Sequence, residues 1–389
     1  MTHNPPDLAV LVHDLSATGV VRNAIRIAAG AAAAGLGTEL WVVDDGGQFR
    51  AQVPQNVTVV RLGAGGRGVP RSRSRMVGIL AAIPRLAAAI RARKPKVLFS
   101  AGNHFHLAGG LAYRLAGRAR ATRLLGRASN ATPRSGRRRG PLGRLANFID
   151  AIKYREMHQI VAVSHELAAD LVTRLGIAPE RVTVIPNGVD LGQIDRDAAE
   201  PLNDPWFAPG APPVVVSAGR LSKQKNFGLL IDAFARLRRE RPARLIILGD
   251  GPAAVRWALL DQAARLGVAD DVRLPGHEQN PFRYFARARL FVLSSLWEGA
   301  SNVLIEALAC GCPVVATDSS TGTREILDSG TFGTLVPPND VEALAGAMID
   351  KLDAPRDCEA ARRQARQFDL TLSLARYFHL ITDPVLEER

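Results

Sequence analysis

The chain has 389 residues, 47% of them hydrophobic and 22% charged, with a formal net charge of +13. That is enough chain for two domains with sizeable cores, and the balance is that of a folded globular protein. The sequence has no run of about 18 apolar residues, only three cysteines, and no basic flank before an apolar core in its opening "MTHNPPDLAV", so a membrane span, a disulfide framework and a secretory signal are not expected, and a cytoplasmic location is.

From the first residue onward, strands and helices alternate. "LAVLVHDL" is an apolar strand, "VVRNAIRIAAGAAAAG" a helix closed by Gly35, and "TELWVVDD", "VTVVRL" and "KPKVLFS" are further strands. "QIVAVSHELAADLVTRLG" is a strand, a Ser164 cap and a helix, and "RVTVIPNGVD" is one more strand ending in a turn. Residues 192–212, with four prolines and no apolar stripe, suggest a linker. Beyond them the rhythm starts again with "PVVVSAGRL", "FGLLIDAFARLRRE" and "ARLIILGDG" and runs to "DVEALAGAMIDKL". The expected fold is α/β: two doubly wound, Rossmann-like domains facing across a cleft, at 1–191 and 213–370. A C-terminal tail at 371–389 is expected to be helical and to pack back across the domains. In such sheets ligands bind outside the carboxyl ends of the strands.

Charge divides the two halves. Residues 1–200 hold 28 Lys+Arg against 14 Asp+Glu, whereas residues 201–389 hold 22 against 23. Residues 61–149 contain 20 Lys+Arg and no acid, a block that attracts an anionic membrane, a nucleic acid or a small anion. Nucleic acid is disfavoured because no aromatics are interleaved with the arginines. Within "PRSRSRMVGILAAIPRLAAAIRARK" (70–94), Met76, Ile79, Leu80, Ile83, Leu86 and Ile90 fall at roughly helical spacing, surrounded by Arg73, Arg75, Arg85, Arg91 and Arg93. This predicts a basic amphipathic helix lying in an anionic lipid interface, so that the protein is peripheral on the inner face of the plasma membrane. The competing reading packs the same stripe on the sheet.

Several apparent motifs carry no chemistry. "GAGGRG" (63–68) has the glycine spacing of a dinucleotide loop, but no acid follows before Asp150 to hold a ribose. Asp195 and Asp197 form an Asp-x-Asp inside the linker and are not expected to hold a metal. Cys310 and Cys312 have no matching pair, and with Cys358 they suit the core better than zinc.

Two segments do carry chemistry. In "EGASNVLIEALACGCPVVAT" (298–317), Glu298 and Glu306 stand on either side of a small-residue turn and a helix start capped by Ser301 or Asn302. They are either solvated acids or two carboxylates around one ligand, and the N–H groups between them suit phosphate or sugar hydroxyls. In "AGRLSKQKN", Arg220 ends a strand and Lys225 follows it, a placement that can neutralise a diphosphate.

With "LGDGP", "VSHELAADLV" and "VIPNGVD", these segments resemble the GT-B glycosyltransferases, specifically the retaining family 4 (group 1) enzymes. The resemblance covers nearly the whole chain and is strongest over 213–340. It implies a retaining, metal-independent transferase (a hexosyltransferase) with no cofactor, taking a UDP-sugar or, second, a GDP-sugar. The acceptor would be a lipid-linked, lipopolysaccharide or other cell-envelope glycan. By the resemblance, Glu306 holds the ribose and Glu298 lies by the donor sugar. The backbone of Gly299, Ala300, Ser301, Asn302 and Val303 holds sugar and phosphate, and Arg220 and Lys225 grip the diphosphate. Gly19 belongs to the family's N-terminal glycine loop, although "ATG" stands where many members carry two glycines. His104 or Asn103 follows a strand where members contact sugar, with His104 a catalytic candidate. Arg127 and Asn130 would face the acceptor. The alternatives are a nucleotide-sugar epimerase on the same fold, or a non-enzymatic basic module binding membrane or nucleic acid.

Overall fold

The computed structural model describes residues 4–16, 18–63, 75–119, 121–129, 147–148 and 150–382. They form two compact units. One runs to Pro186 and takes in the chain again from Ser373; the other is Asn187–Leu372.

The first unit is built on seven parallel strands: β1 Leu8–Val12, β2 Thr38–Val42, β3 Thr58–Arg61, β4 Val97–Ser100, β5 Arg123–Ala128, β6 Gln159–Ala162 and β7 Val182–Val184, in the order β3-β2-β1-β4-β5-β6-β7. In β1 every residue is buried because both faces are covered, so the strand is a continuous apolar run instead of alternating. Val10 sits in register with Leu40 on one side and Phe99 on the other. Among the described residues the helices between these strands include α1 Gly19–Ala33, α2 Arg75–Arg93, α3 His106–Leu115 and α4 His165–Thr173. Thr18 Oγ1 accepts from the Val21 N–H at 3.3 Å to start α1, and Gly35, at φ +85°, lets it stop. Ser164 caps α4 in the same way, through the Leu167 N–H.

α2 turns most of the stripe in residues 70–94 inward: Ile79, Ile83, Leu86 and Ile90 are buried in the protein, whereas Leu80 is 50% exposed. The stripe was real, but it turns into the protein, where α2 packs beside α3. Pro84 lies inside the helix on its exposed side. Arg73 and the side chains of Arg75 and Met76 lie outside what is described.

The second unit has six parallel strands: β8 Val214–Ala218, β9 Arg244–Leu248, β10 Val272–Gly276, β11 Leu290–Leu293, β12 Val314–Thr317 and β13 Thr334–Val336, ordered β10-β9-β8-β11-β12-β13. Its helices are α5 Leu191–Ala199, α6 Phe227–Glu240, α7 Ala253–Arg265, α8 Phe282–Arg287, α9 Asn302–Ala309, α10 Thr321–Ile326, α11 Val341–Asp353 and α12 Cys358–Arg366.

The expected linker is structured. α5 is capped by Asp190, whose Oδ1 accepts from Gln193 N at 2.8 Å, and Ile194 and Trp206 sit in the unit's core. Nine residues with one fully buried position are too few to display a helical period. Asp195 and Asp197 lie on this helix two residues apart, and so on different sides of it. The last helix, α13 Leu370–Thr382, sends Tyr377, Leu380 and Ile381 into the first unit's core, and Ser373 Oγ donates to the Pro186 carbonyl at 2.7 Å.

Candidate active site

In the second sheet the chain winds outward in both directions from the β8/β11 boundary. The carboxyl ends of these two neighbours flank the point where an open α/β sheet takes a ligand. Arg220 and Lys225 follow β8; Glu298 and α9 follow β11.

Glycines let the loops beside this point touch backbone to backbone. A β-carbon on Gly249 would fall 2.0 Å from the Gly219 carbonyl oxygen, and one on Gly251 2.6 Å from that of Leu221. Gly219 N donates to Leu248 O at 2.9 Å, Leu221 N to Asp250 O at 2.8 Å and Gly249 N to Gly276 O at 2.7 Å. Gly219 and Gly249 adopt φ of +150° and +134°, which an L side chain rarely tolerates.

Lys225 and Glu298 meet. Lys225 Nζ donates to Glu298 Oε1 at 2.7 Å, and the same oxygen accepts from Ser295 Oγ at 2.7 Å. Glu298 is only 6% exposed. The two segments are clamped around the pair: Ser294 Oγ donates to the Lys225 carbonyl at 2.8 Å, Leu296 N to that of Gln224 at 2.8 Å, and Gln224 Nε2 to that of Trp297 at 2.9 Å. Arg220 stands exposed at the end of β8.

Gly299–Val303 forms the turn into α9. Asn187 Nδ2 donates to Asn302 Oδ1 at 2.6 Å and to the Ala300 carbonyl at 3.2 Å, fixing the turn from outside. On another side a β-carbon at Gly322 would lie 2.0 Å from the Gly299 carbonyl oxygen. Ser301 precedes the helix but does not cap it with its side chain, and its buried Oγ has no hydrogen-bond partner among the described residues. Glu306, one turn into α9, is buried. Cys310 and Cys312 are core residues; burial raises both thiols, that of Cys312 to about 12. Ser295, Asn187 and Gly322 were not foreseen as site residues. Only Asn187 carried a signal, its Asn-Gly turn within "VIPNGVD".

In the first unit the corresponding boundary lies between β1 and β4. Gly19 opens α1 and is exposed. Asn103 follows β4, but its Oδ1 accepts from Ser129 N at 3.0 Å, so its carbonyl oxygen ties down the end of β5. His104 is exposed and packs edge-on to Phe105. His106 is wholly buried, with Nδ1 2.8 Å from Ser100 Oγ, and desolvation pushes its pKa down to about 3. Arg127 corrects the sequence reading: it is buried, its side chain hydrogen-bonds Tyr377, and it does not face a solvent-borne acceptor. β5 is buried on both faces from Leu124 to Ala128, so an arginine within it is buried whichever way it points. Asn130 lies outside the described residues. Among the described residues no group of three His, Cys, Asp or Glu side chains is arranged to hold a metal ion.

Two family models match. Glycosyltransferase Family 4 covers residues 17–193, and Glycosyl transferases group 1 covers residues 212–354. The chain belongs to the group 1, family 4 glycosyltransferases. Relatives of this family 4 protein include the N-acetylgalactosamine-N,N'-diacetylbacillosaminyl-diphospho-undecaprenol 4-alpha-N-acetylgalactosaminyltransferase of Campylobacter jejuni. It is 34% identical over 228 residues, 57% of this chain and 59% of the relative. The lipopolysaccharide core biosynthesis glycosyltransferase LpsE of Rhizobium meliloti is 32% identical over 207 residues, 53% and 58% of the two chains. The match thus spans less than two thirds of the length of these relatives. Among solved structures, Anabaena Alr3699/HepE in complex with UDP-glucose superposes with a TM-score of 0.78 at 20% identity, covering 96% of this chain and 99% of that one. The glycosyltransferase of Rickettsia africae gives 0.75 at 19% identity with both chains fully covered. The family 4 protein therefore has the GT-B fold.

Proposed function

We propose that this chain transfers a sugar, with retention and without a metal, from a nucleoside diphosphate donor to a lipid-linked or cell-envelope glycan. The donor is a UDP-sugar first and a GDP-sugar second. The observation that carries this reading is the Lys225–Glu298–Ser295 cluster at the β8/β11 boundary, set beside the buried Ser301 hydroxyl, which has no partner among the described residues.

The chemistry follows from the charges. Departure of a nucleoside diphosphate builds negative charge on the β-phosphate while the sugar becomes oxocarbenium-like. Lys225 and Arg220 are fixed cations that stabilise the departing charge, and the N–H groups of Ser301 to Val303 add the helix dipole. Glu298 accepts from sugar hydroxyls once Lys225 turns to phosphate. Glu306 accepts from the ribose hydroxyls. In the first unit Gly19, assigned to phosphate or acceptor, and His104, assigned to sugar, are exposed.

The acceptor class rests on the relatives: the C. jejuni protein is named for a diphospho-undecaprenol glycan and LpsE for lipopolysaccharide core. The donor order rests on HepE, whose structure holds UDP-glucose. A substrate on a lipid carrier also implies work at an anionic membrane surface, although no described helix is long and apolar enough to cross one. The deciding experiment is thermal melting with UDP, GDP and their sugars, followed by turnover of the best donor with and without EDTA. The reading expects a UDP-dependent rise in melting temperature and EDTA-resistant turnover. Unchanged melting with every nucleotide overturns the donor site, and activity restored only by Mg²⁺ or Mn²⁺ overturns metal independence.

A further inference from the structure

The carboxyl ends of β1 and β4 mark the first sheet's own switch point, where an open α/β sheet takes a ligand. Among the described residues three histidines stand there, His13 after β1 and His104 and His106 after β4. His106 is wholly buried and cannot meet a substrate. His13 and His104 both pack on Phe105, with ring centroids 6.2 and 5.7 Å from it, so His13 lies toward β4.

The backbone under His13 is fixed. Its carbonyl accepts from Val43 N at 3.1 Å and from Asp44 N at 2.9 Å, both just beyond β2, and Leu15 N donates to Gly46 O at 3.1 Å. A β-carbon on Gly47 would fall 2.2 Å from the Leu15 carbonyl oxygen, so these two loops touch backbone to backbone.

The side chain is aimed by its neighbour. Asp14 Oδ2 lies 2.7 Å from His13 Nδ1, while Asp14 Oδ1 accepts from Ser16 N at 3.0 Å and from the Ser16 hydroxyl. A carboxylate only accepts, so the ring proton sits on Nδ1 and the lone pair of the neutral ring is left on Nε2. The two side chains are 14% and 21% exposed, and water screens such a pair weakly. Nε2 meets no hydrogen-bond partner among the described residues. Beside it is Gly78, inside α2, where a β-carbon would lie 3.6 Å from Nε2. A glycine within a helix costs about 1 kcal/mol against alanine, and here it leaves that side of Nε2 bare.

We propose that His13 is a catalytic residue of the transfer, the base that takes the proton from the acceptor hydroxyl, and that Asp14 is its positioning residue. The proposal rests on the transferase reading and supplies what that reading leaves open, the destination of the hydroxyl proton. As the acceptor oxygen bonds to the anomeric carbon, its O–H electron pair stays on oxygen and the proton passes to His13 Nε2. The bond from that carbon to the β-phosphate oxygen breaks, and its electron pair leaves with the nucleoside diphosphate. The imidazolium is held against the Asp14 carboxylate and then gives its proton to water.

Two variants of the full chain separate chemistry from structure. His13→Asn keeps an N–H at the place of Nδ1, and so the bond to Asp14, but has no Nε2. Asp14→Asn keeps the shape and removes the charge that holds the tautomer. The first measurement is a long-range proton–nitrogen correlation spectrum of chain with isotope-labelled histidine at about pH 8, with His13 assigned by its loss in His13→Asn. The expected parent ring is Nδ1–H, giving way to mixed tautomers in Asp14→Asn; an Nε2–H ring in the parent overturns the proposal. The second is UDP release from UDP-glucose, UDP-galactose and UDP-N-acetylglucosamine, with prenyl-diphosphate-linked N-acetylglucosamine as acceptor. His13→Asn is expected to lose roughly 100-fold or more in kcat, at unchanged UDP affinity and melting temperature. Parent-like kcat overturns the proposal and sends the proton to the departing phosphate. A melting temperature that falls together with UDP affinity makes the pair a loop clasp and overturns it too. A parent that neither melts higher with UDP nor releases it defeats the donor reading itself, whatever the tautomer.

Discussion

Lys225 and Glu298 neutralise each other: the ammonium lies 2.7 Å from a carboxylate oxygen that also accepts from Ser295. A diphosphate that takes Lys225 must leave Glu298 with replacement donors, and sugar hydroxyls are the donors the substrate brings. Glu298→Gln removes the competitor for Lys225 while keeping the shape. UDP affinity is expected to stay level or rise a few fold while turnover falls by roughly 100-fold, as for loss of one preorganised group. Calorimetry with UDP alongside donor turnover checks the pair of outcomes; parallel loss of both would sink the exchange of partners.

The two cations are expected to separate in stability. Arg220→Ala and Lys225→Ala should each lower turnover by about 100- to 1000-fold. Arg220 is exposed, so its variant should melt with the parent. Lys225→Ala leaves the buried Glu298, among the described residues, with the Ser295 hydroxyl alone and should lose about 1–3 kcal/mol. Denaturant unfolding of both variants decides it, and an equal stability loss in the two counts against the pairing as the cause.

Glu306→Ala should weaken UDP binding by about 1–3 kcal/mol, the worth of charge-assisted bonds to the ribose hydroxyls. A 2′-deoxy UDP analogue should bind parent and variant more equally than UDP does. If calorimetry finds the variant's UDP affinity unchanged, Glu306 does not hold the ribose.

His106 gives the protein an acid-sensitive stability. Desolvation holds its folded-state pKa at about 3, below the ordinary 6.5. Below pH 6.5 the unfolded chain binds a proton that the folded chain refuses, so stability falls from there toward about 3, by up to about 1.4 kcal/mol per pH unit, and is level above. His158, lowered by burial as well, adds to the slope. His106→Gln should make melting temperature less steep between about pH 6 and 4. A slope equal to that of the parent would show that His106 does not set it.

The parallel strands were legible because doubly covered sheets make near-continuous apolar runs, as in "LAVLV" and "VVVSA". That Arg220 and Lys225 follow β8, and Glu298 follows β11, was legible because short loops at strand ends fix where side chains go. What the residues of α2 could not reveal is which apolar surface their stripe would meet, a matter of tertiary placement. Asn187 was hidden for a related reason: its partners, Ala300 and Asn302, lie more than a hundred residues away, and no local pattern encodes such a contact. Arg127 was misread because β5 is buried on both faces, which an arginine inside the strand does not suggest.

The Ser301 hydroxyl, buried at the head of α9 without a partner among the described residues, sets binding against robustness. A polar group already stripped of water has no hydration left to lose when a ligand oxygen arrives, so the folded chain has carried that loss in advance. Ser301→Ala should therefore yield a sturdier protein that holds its donor more weakly, and selection for thermal resistance alone would drift toward that residue and away from the enzyme.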